Sequence, residues 1–181
     1  MLLLANNTYS QYNQEPRYHL KAQFAGDIGL VAVGVGKEML NQKLDADIFL
    51  GYLPESFGGE DLVTTALKLA YVPFQTLQAG NVDWQPLRTG LQLAYTFGDD
   101  YFAFEPRDQY PKGYYGFSTA LHLYYFLGGE LGLTRVKHLE KFGVYYEVGA
   151  LGKYLLSYIT NPDYLSPGKI FHLALGVKYS L

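Results

Sequence analysis

Large apolar side chains occupy every second position over the last ten residues of the chain. In "HLALGVKYSL", Leu173, Leu175, Val177, Tyr179 and Leu181 alternate with small or polar residues. A period of two is that of a β-strand, in which successive side chains point to opposite faces. Because the same pattern recurs along the chain, it predicts an all-β fold.

The alternation predicts eight antiparallel strands in an up-and-down barrel. These strands span 17–25, 28–38, 43–53, 62–74, 86–97, 113–128, 141–157 and 169–181. Segment 28–38 is apolar on both faces, so we expect a bulge or a register change within it. The alternation also leaves no linker that would separate two domains, so we predict one barrel domain over 17–181 and a flexible periplasmic segment over 1–16.

An even number of strands places both termini at one end of such a barrel. The connections at the opposite end would be extracellular, and they are predicted at 26–27, 54–61, 98–112 and 158–168. The periplasmic connections are predicted at 39–42, 75–85 and 129–140. The last of these is long enough to hold a turn, a short helix, an extension of a strand or a further strand pair.

Periodicity does not decide whether the apolar face lines the interior, as in a soluble barrel of lipocalin type, or contacts lipid. Charged residues make up 17% of the chain, below the ~25% of an average soluble domain. The polar face also carries glycine and alanine between its charges. Small residues beside long ones suit a narrow eight-stranded interior, so we predict a transmembrane barrel with its apolar face in lipid.

Several other classes of protein do not fit the sequence. The net charge is −3 with no basic patch, so nucleic acid is not an expected partner. Cysteine is absent, metal-ligand spacings are missing, and we predict neither a metal site nor a cofactor. The longest apolar runs, near nine residues, are too short for a membrane-spanning helix. The first residues lack a signal-peptide pattern, so we expect a mature form of the chain.

The end of the chain carries a more specific pattern. Gly176, Tyr179 and Leu181 resemble the assembly signal that ends many bacterial outer-membrane barrels, although leucine stands where phenylalanine is commoner. With the eight predicted strands, the chain resembles the small eight-stranded outer-membrane β-barrel proteins. The resemblance implies a monomer in the outer membrane of a Gram-negative bacterium. It also implies contacts with lipid and lipopolysaccharide, insertion by the barrel-assembly machinery, and a protein partner at the extracellular loops.

Charged residues on the polar face predict a lumen closed by ion pairs, because buried charges need partners. The predicted network consists of Lys37, Asp45, Asp47, Lys68, Arg88, His122, Glu147 and Lys178. Loop centres predict the pairs Lys37 with Asp45, Asp47 with Lys68, and Glu147 with Lys178, and place Arg88 opposite His122. A closed lumen favours a structural role or an interaction through the external loops.

The alternative is an enzyme that modifies lipid in the outer leaflet. The resemblance includes lipid A acyl hydrolases and acyltransferases that use histidine, serine and a carboxylate. Ser118 and His122 share a face, but four residues separate them by roughly 13 Å along a strand. Direct contact is therefore excluded for this pair, and the candidate catalytic cluster is His122, Glu130 and Glu147.

Overall fold

The structure, a computed structural model, describes residues 17–98, 100–102, 104, 118–160 and 167–181. Within these ranges, nine strands and three short helices form. The strands are β1 (Arg17–Ala25), β2 (Val31–Met39), β3 (Leu44–Leu53), β4 (Leu62–Tyr71), β5 (Leu77–Ala79), β6 (Val82–Phe97), β7 (Leu121–Gly132), β8 (Phe142–Leu151) and β9 (Phe171–Ser180). The helices are α1 (Glu55–Gly58), α2 (Gly152–Thr160) and α3 (Pro167–Ile170).

Eight of these strands close into a barrel. Their order is β4-β3-β2-β1-β9-β8-β7-β6, and a pairing between β4 and β6 closes the ring. Every pairing is antiparallel, and β5 pairs only with β6. The predicted all-β, eight-stranded antiparallel barrel is therefore confirmed. Below, the terminal end is the end where β1 begins and β9 finishes, and the loop end is the opposite end.

The structure differs from the predicted strands in several places, and the predicted connection over 75–85 contains β5 and the start of β6. β2 pairs with both neighbours in unbroken register, so the bulge expected there is wrong, and a register shift lies instead between Gln85 and Arg88 of β6. β7 continues to Gly132, which makes the start of segment 129–140 an extension of a strand. The predicted strand over 141–157 stops at Leu151, where α2 begins. The predicted start of strand 113–128 lies outside the described residues.

The barrel has a polar interior and an apolar outer surface. In the middle of β6, Gln92 is 3% exposed and points inward, whereas the next residue, Leu93, is 43% exposed. Small interior residues make room for large ones from the neighbouring strand. A Cβ on Gly176 of β9 would overlap the ring of Tyr145, which is 1% exposed. Glycine at this point thus lets an aromatic ring lie flat against the wall of a narrow interior.

Candidate functional site

Charged side chains line the middle of the barrel. Among the described residues, nine Asp, Glu, His, Lys or Arg side chains point inward and are buried: His19, Lys21, Asp45, Asp47, Lys68, Arg88, Glu130, Glu147 and Lys178. An unpaired charge in such a space would be strongly destabilising. The stability of the barrel interior therefore depends on how these charged groups are paired.

Asp47 on β3 binds two side chains of β1. Its Oδ2 accepts a hydrogen bond from Lys21 Nζ at 2.6 Å, and its Oδ1 lies 2.5 Å from His19 Nε2. β2 runs between β1 and β3, and these contacts cross it at Gly36. A Cβ on Gly36 would overlap both the carboxylate of Asp47 and the imidazole of His19. The absence of a side chain at this position is what lets the two strands bond across a third.

Asp45 binds cations from three strands. Arg88 Nη2 donates to its Oδ2 at 2.6 Å, and Lys21 Nζ and Lys178 Nζ each lie 3.6 Å from the same oxygen. Arg88 also forms an ion pair with Glu130. The ammonium of Lys178 lies 3.4 Å from Glu130 Oε1. Asp45, Arg88, Glu130 and Lys178 thus form one connected network toward the terminal end.

The network continues at this end to Glu38 of β2, whose Oε1 lies 2.7 Å from Lys178 Nζ. Glu38 is half-buried at the rim of the barrel, next to the turn that joins β2 to β3. The ion pairs of the described interior therefore reach from the middle of the barrel to its terminal end.

Lys68 of β4 reaches across the interior to β8. Its Nζ donates to Glu147 Oε2 at 2.5 Å and to Gln23 Oε1 at 3.2 Å. The same ammonium lies 5.0 Å from the ring centroids of both Phe49 and Phe126, within the range of a cation–π contact. Ion pairs and aromatic rings together fill the middle of the barrel, as expected for eight strands.

The predicted pairs within the lumen are wrong, although one register is right. Asp47 and Lys68 lie directly opposite each other in the β3–β4 ladder, but their side chains bind other partners. Glu147 binds Lys68 instead of Lys178. Gly128, not His122, lies opposite Arg88. The reason is physical: in an eight-stranded barrel, long side chains span the interior and contact the far wall.

Lys37 is the predicted lumen residue that lies on the outer surface. Glu38, the next residue, points inward and takes the position in the network assigned to Lys37. The ammonium of Lys37 lies 5.7 Å from the ring centroid of Tyr18, an outward-facing residue of β1. Before Lys37, one face of β2 carries only valine and the other only alanine and glycine, so no charge marked which face pointed inward.

The sequence-based network also omitted His19, Lys21 and Gln23 of β1. A signal for them existed, since they alternate with Tyr18, Leu20, Ala22 and Phe24 on the outward face. Their partners could not be predicted from strand pairing, because their hydrogen bonds go to β3 and β4, which do not pair with β1.

The predicted catalytic cluster does not assemble. His122 lies toward the loop end of β7, whereas Glu130 follows eight residues later, roughly 26 Å along the strand. Glu147 is bound to Lys68 in the middle of the barrel. These three side chains therefore do not share one reaction centre.

A cavity of about 430 Å³ opens at the loop end. On one wall, His172 Nδ1 lies 2.7 Å from Asp27 Oδ1, and the carboxyl group is 9% exposed against 45% for the imidazole. Burial raises the pKa of Asp27 above its usual range, and the imidazole of His172 opposes part of that rise. On other walls lie His122 and the hydroxyl groups of Thr64 and Thr96, which are 3.2 Å apart.

A second cavity of about 430 Å³ opens at the terminal end. Its walls include Glu38, Glu130 and Lys178 of the interior network. At its rim, Asp83 of β6 binds both Thr134 and Arg135 from the segment after β7. The cavities at the two ends are separated by the ion pairs and aromatic rings of the middle section.

The three residues of the predicted assembly signal lie along β9 and directly after it. Gly176 faces inward beneath Tyr145, Tyr179 packs against Phe142 at 5.0 Å between ring centroids, and Leu181 is exposed. Their recognition by an assembly machinery stays a prediction.

No family model, curated protein or solved structure matches the chain. Within the described ranges, no helix is long and apolar enough to cross a membrane. The same residues contain no group of three His, Asp or Glu side chains placed to hold a metal ion. The chain is defined by its fold and interior: a closed eight-stranded antiparallel β-barrel, consistent with small outer-membrane barrels, whose centre is filled by ion pairs.

The ion pair between Lys68 and Glu147 yields a test of the interior. Glu147→Leu leaves a buried ammonium without its carboxylate and should cost about 3–5 kcal/mol of unfolding free energy. Adding Lys68→Met should recover much of that loss, because no charge is then left unpaired. Urea unfolding of the two single variants and the double variant in phospholipid vesicles measures the coupling. A control double-mutant cycle combines Asp47→Asn with Lys68→Met. A larger coupling free energy in this cycle than in the Glu147 and Lys68 cycle would contradict the ion pair between Lys68 and Glu147.

Proposed function

We propose that the chain is an integral β-barrel of a bacterial outer membrane that does not conduct solutes and acts as a structural or interaction protein. The observation that carries the proposal is a band of exposed apolar side chains around the barrel. Its members include Leu20, Val33, Val35, Ile48, Leu50, Leu67, Leu69, Leu91, Leu93, Leu123, Leu127, Val144, Val148, Leu173, Leu175 and Val177. Every one of the eight barrel strands contributes to this band.

The distribution of polarity supports lipid as the surroundings. A soluble protein seldom exposes a continuous apolar surface larger than a few hundred Å². Here the whole circumference is apolar, while the interior contains the charges. A closed barrel also leaves no unpaired strand edge in hydrocarbon, which is the requirement for spanning a membrane with strands. A soluble barrel of lipocalin type would have the opposite arrangement.

The filled interior supports a structural or interaction role over transport. Lys68, Glu147, Phe49, Phe126 and Tyr145 occupy the middle of the barrel. An aqueous channel needs a wider barrel or smaller interior side chains.

The loops at the loop end are then the surface available to a partner outside the cell. One of them is preorganised: Asp61 Oδ1 accepts bonds from Tyr52 Oη at 2.7 Å and from the Glu55 amide at 2.9 Å. The bond from Tyr52 holds the pKa of Asp61 below its usual range. Phe57 lies on this acidic loop and is highly exposed. The predicted loops over 98–112 and 158–168 lie largely outside the described residues.

Two leucine-to-arginine variants test the proposal. In a lipid bilayer, the free-energy cost of an outward-facing arginine depends on its depth in the membrane. Leu93 lies near the middle of β6, and Leu131 lies near the terminal end of β7 at a similar exposure, 38%. In a bilayer, Leu93→Arg should cost about 2–4 kcal/mol of unfolding free energy and Leu131→Arg about 0–1 kcal/mol. Reversible urea unfolding in lipid vesicles measures both. Equal, near-zero costs would mean that this face contacts water.

A second candidate function is hydrolysis of an acyl ester in an outer-leaflet lipid, and the pair of Asp27 and His172 favours it. The carboxylate orients the imidazole through Nδ1 and leaves Nε2 available as a base. Nε2 would take a proton from a water molecule whose oxygen attacks the ester carbon. The ester C–O bond then breaks, the leaving alkoxide takes the proton from the imidazolium, and a fatty acid and an alcohol result.

The masses of lipid A from expressing cells test this second candidate. The unaltered chain should remove one acyl group, and His172→Ala should abolish the change because the base is lost. His122→Ala is the matched control, since His122 lines the same cavity without an ion pair to Asp27. Identical lipid A with and without the protein would reject hydrolysis and leave the structural role.

A further inference from the structure

Two lysines and three aromatic rings lie at the terminal end of the barrel, where Lys141 and Phe142 also border the second cavity. Lys37 of β2 lies opposite Tyr18 of β1, and its ammonium is 5.7 Å from that ring. Lys141, directly before β8, has its ammonium 5.6 Å from the ring of Tyr179 on β9. Phe142 packs against the same tyrosine. We call these five residues the Lys–Tyr cluster.

The two lysines of the cluster lie over rings on neighbouring strands. Tyr179 lies opposite Leu20 in the β1–β9 ladder, so Tyr18 and Tyr179 are diagonal neighbours, roughly 7–8 Å apart. Each ammonium lies over one of these rings. Among the residues that the structure describes, neither Lys37 nor Lys141 has a carboxylate within ion-pair distance. The cluster therefore presents two positive charges without an anionic partner.

An apolar groove begins at the Lys–Tyr cluster and runs toward the middle of the barrel. Its volume is about 650 Å³, and its walls come from the outward side chains Leu20, Ala22, Val33, Val35, Ile48 and Val177. Phe142 and Tyr179 of the cluster also line it, so the groove adjoins the ring that Lys141 contacts. Ala22 is the smallest of these outward side chains and leaves space between larger neighbours.

We infer that this surface binds an anionic phospholipid, with an acyl chain in the groove and the phosphate at Lys37 and Lys141. The inference rests on the proposed function, because the groove faces acyl chains only if the barrel spans a membrane. A phosphate accepts hydrogen bonds from ammonium groups, and tyrosine and lysine side chains are typical of the level where headgroups begin. A zwitterionic headgroup carries a cation that the lysines repel, so the site selects lipids of net negative charge.

Native mass spectrometry of the protein released from nanodiscs tests the inferred preference for anionic phospholipid. The nanodiscs contain phosphatidylglycerol and phosphatidylcholine in equal amounts. The unaltered protein should retain phosphatidylglycerol preferentially. The double variant Lys37→Gln, Lys141→Gln should reduce that preference roughly five-fold per lysine removed. The matched control is Lys43→Gln, Lys137→Gln, which removes two exposed lysines at the same end and should leave the preference unchanged.

A separate variant tests whether an acyl chain binds in the groove. Ala22→Phe fills it without altering either lysine, and it should lower the retention of phosphatidylglycerol while the protein stays inserted. No preference in the unaltered protein, or an equal loss in both double lysine variants, would overturn the inference. Co-flotation of the protein with vesicles, measured separately, distinguishes that result from failure of the proposed function, because a barrel that does not span a bilayer would not insert at all.

Discussion

The rest of the structure depends on the pairing of buried charges in the middle of the barrel. Asp45 lies at the centre of that pairing, since Lys21, Arg88 and Lys178 from three strands share one of its oxygens. Removing one partner of such a set leaves a buried charge, which costs several kcal/mol. A register slip of one strand by one residue would turn its charges toward the outer surface and its apolar side chains inward. The ion pairs thus specify the register of the barrel as well as filling it.

Two glycines make the packing of this interior geometrically feasible. Gly36 allows His19 and Asp47 to meet across an intervening strand, and Gly176 allows Tyr145 to lie against the barrel wall. The outer surface has no such constraint, and there the strands carry large apolar side chains almost throughout. The inside of the barrel is therefore defined by complementary pairs of long and small residues. The outside is defined by hydrophobicity alone, with lysines and tyrosines at the terminal end.

Much of the fold could be predicted from the sequence because the polarity of each strand residue indicates whether its side chain faces inward or outward. The alternation around Leu93 or Leu67 gives the strand, its two faces and its neighbours in the ladder. The ion pairs could not be predicted in the same way, because Lys68 and Glu147 are three strands apart around the ring and only the closed barrel brings them together. Lys37 was misplaced because no charged residue precedes it on either face of β2. The pair of Asp27 and His172 joins the loop after β1 to β9, which is adjacent to β1 only because the first and last strands of the barrel pair.

The central claim is that the odd-numbered residues of β4 face lipid and the even-numbered residues face a closed, water-poor interior. Spin labels placed singly at positions 63–70, in a chain without native cysteine, measure this directly through collisions with oxygen and with a polar nickel chelate in lipid vesicles. Labels at 63, 65, 67 and 69 should collide with oxygen and not with nickel, and labels at 64, 66, 68 and 70 should collide weakly with both. Strong nickel collisions at 65 and 67 would contradict the account, because they would place the apolar band in water.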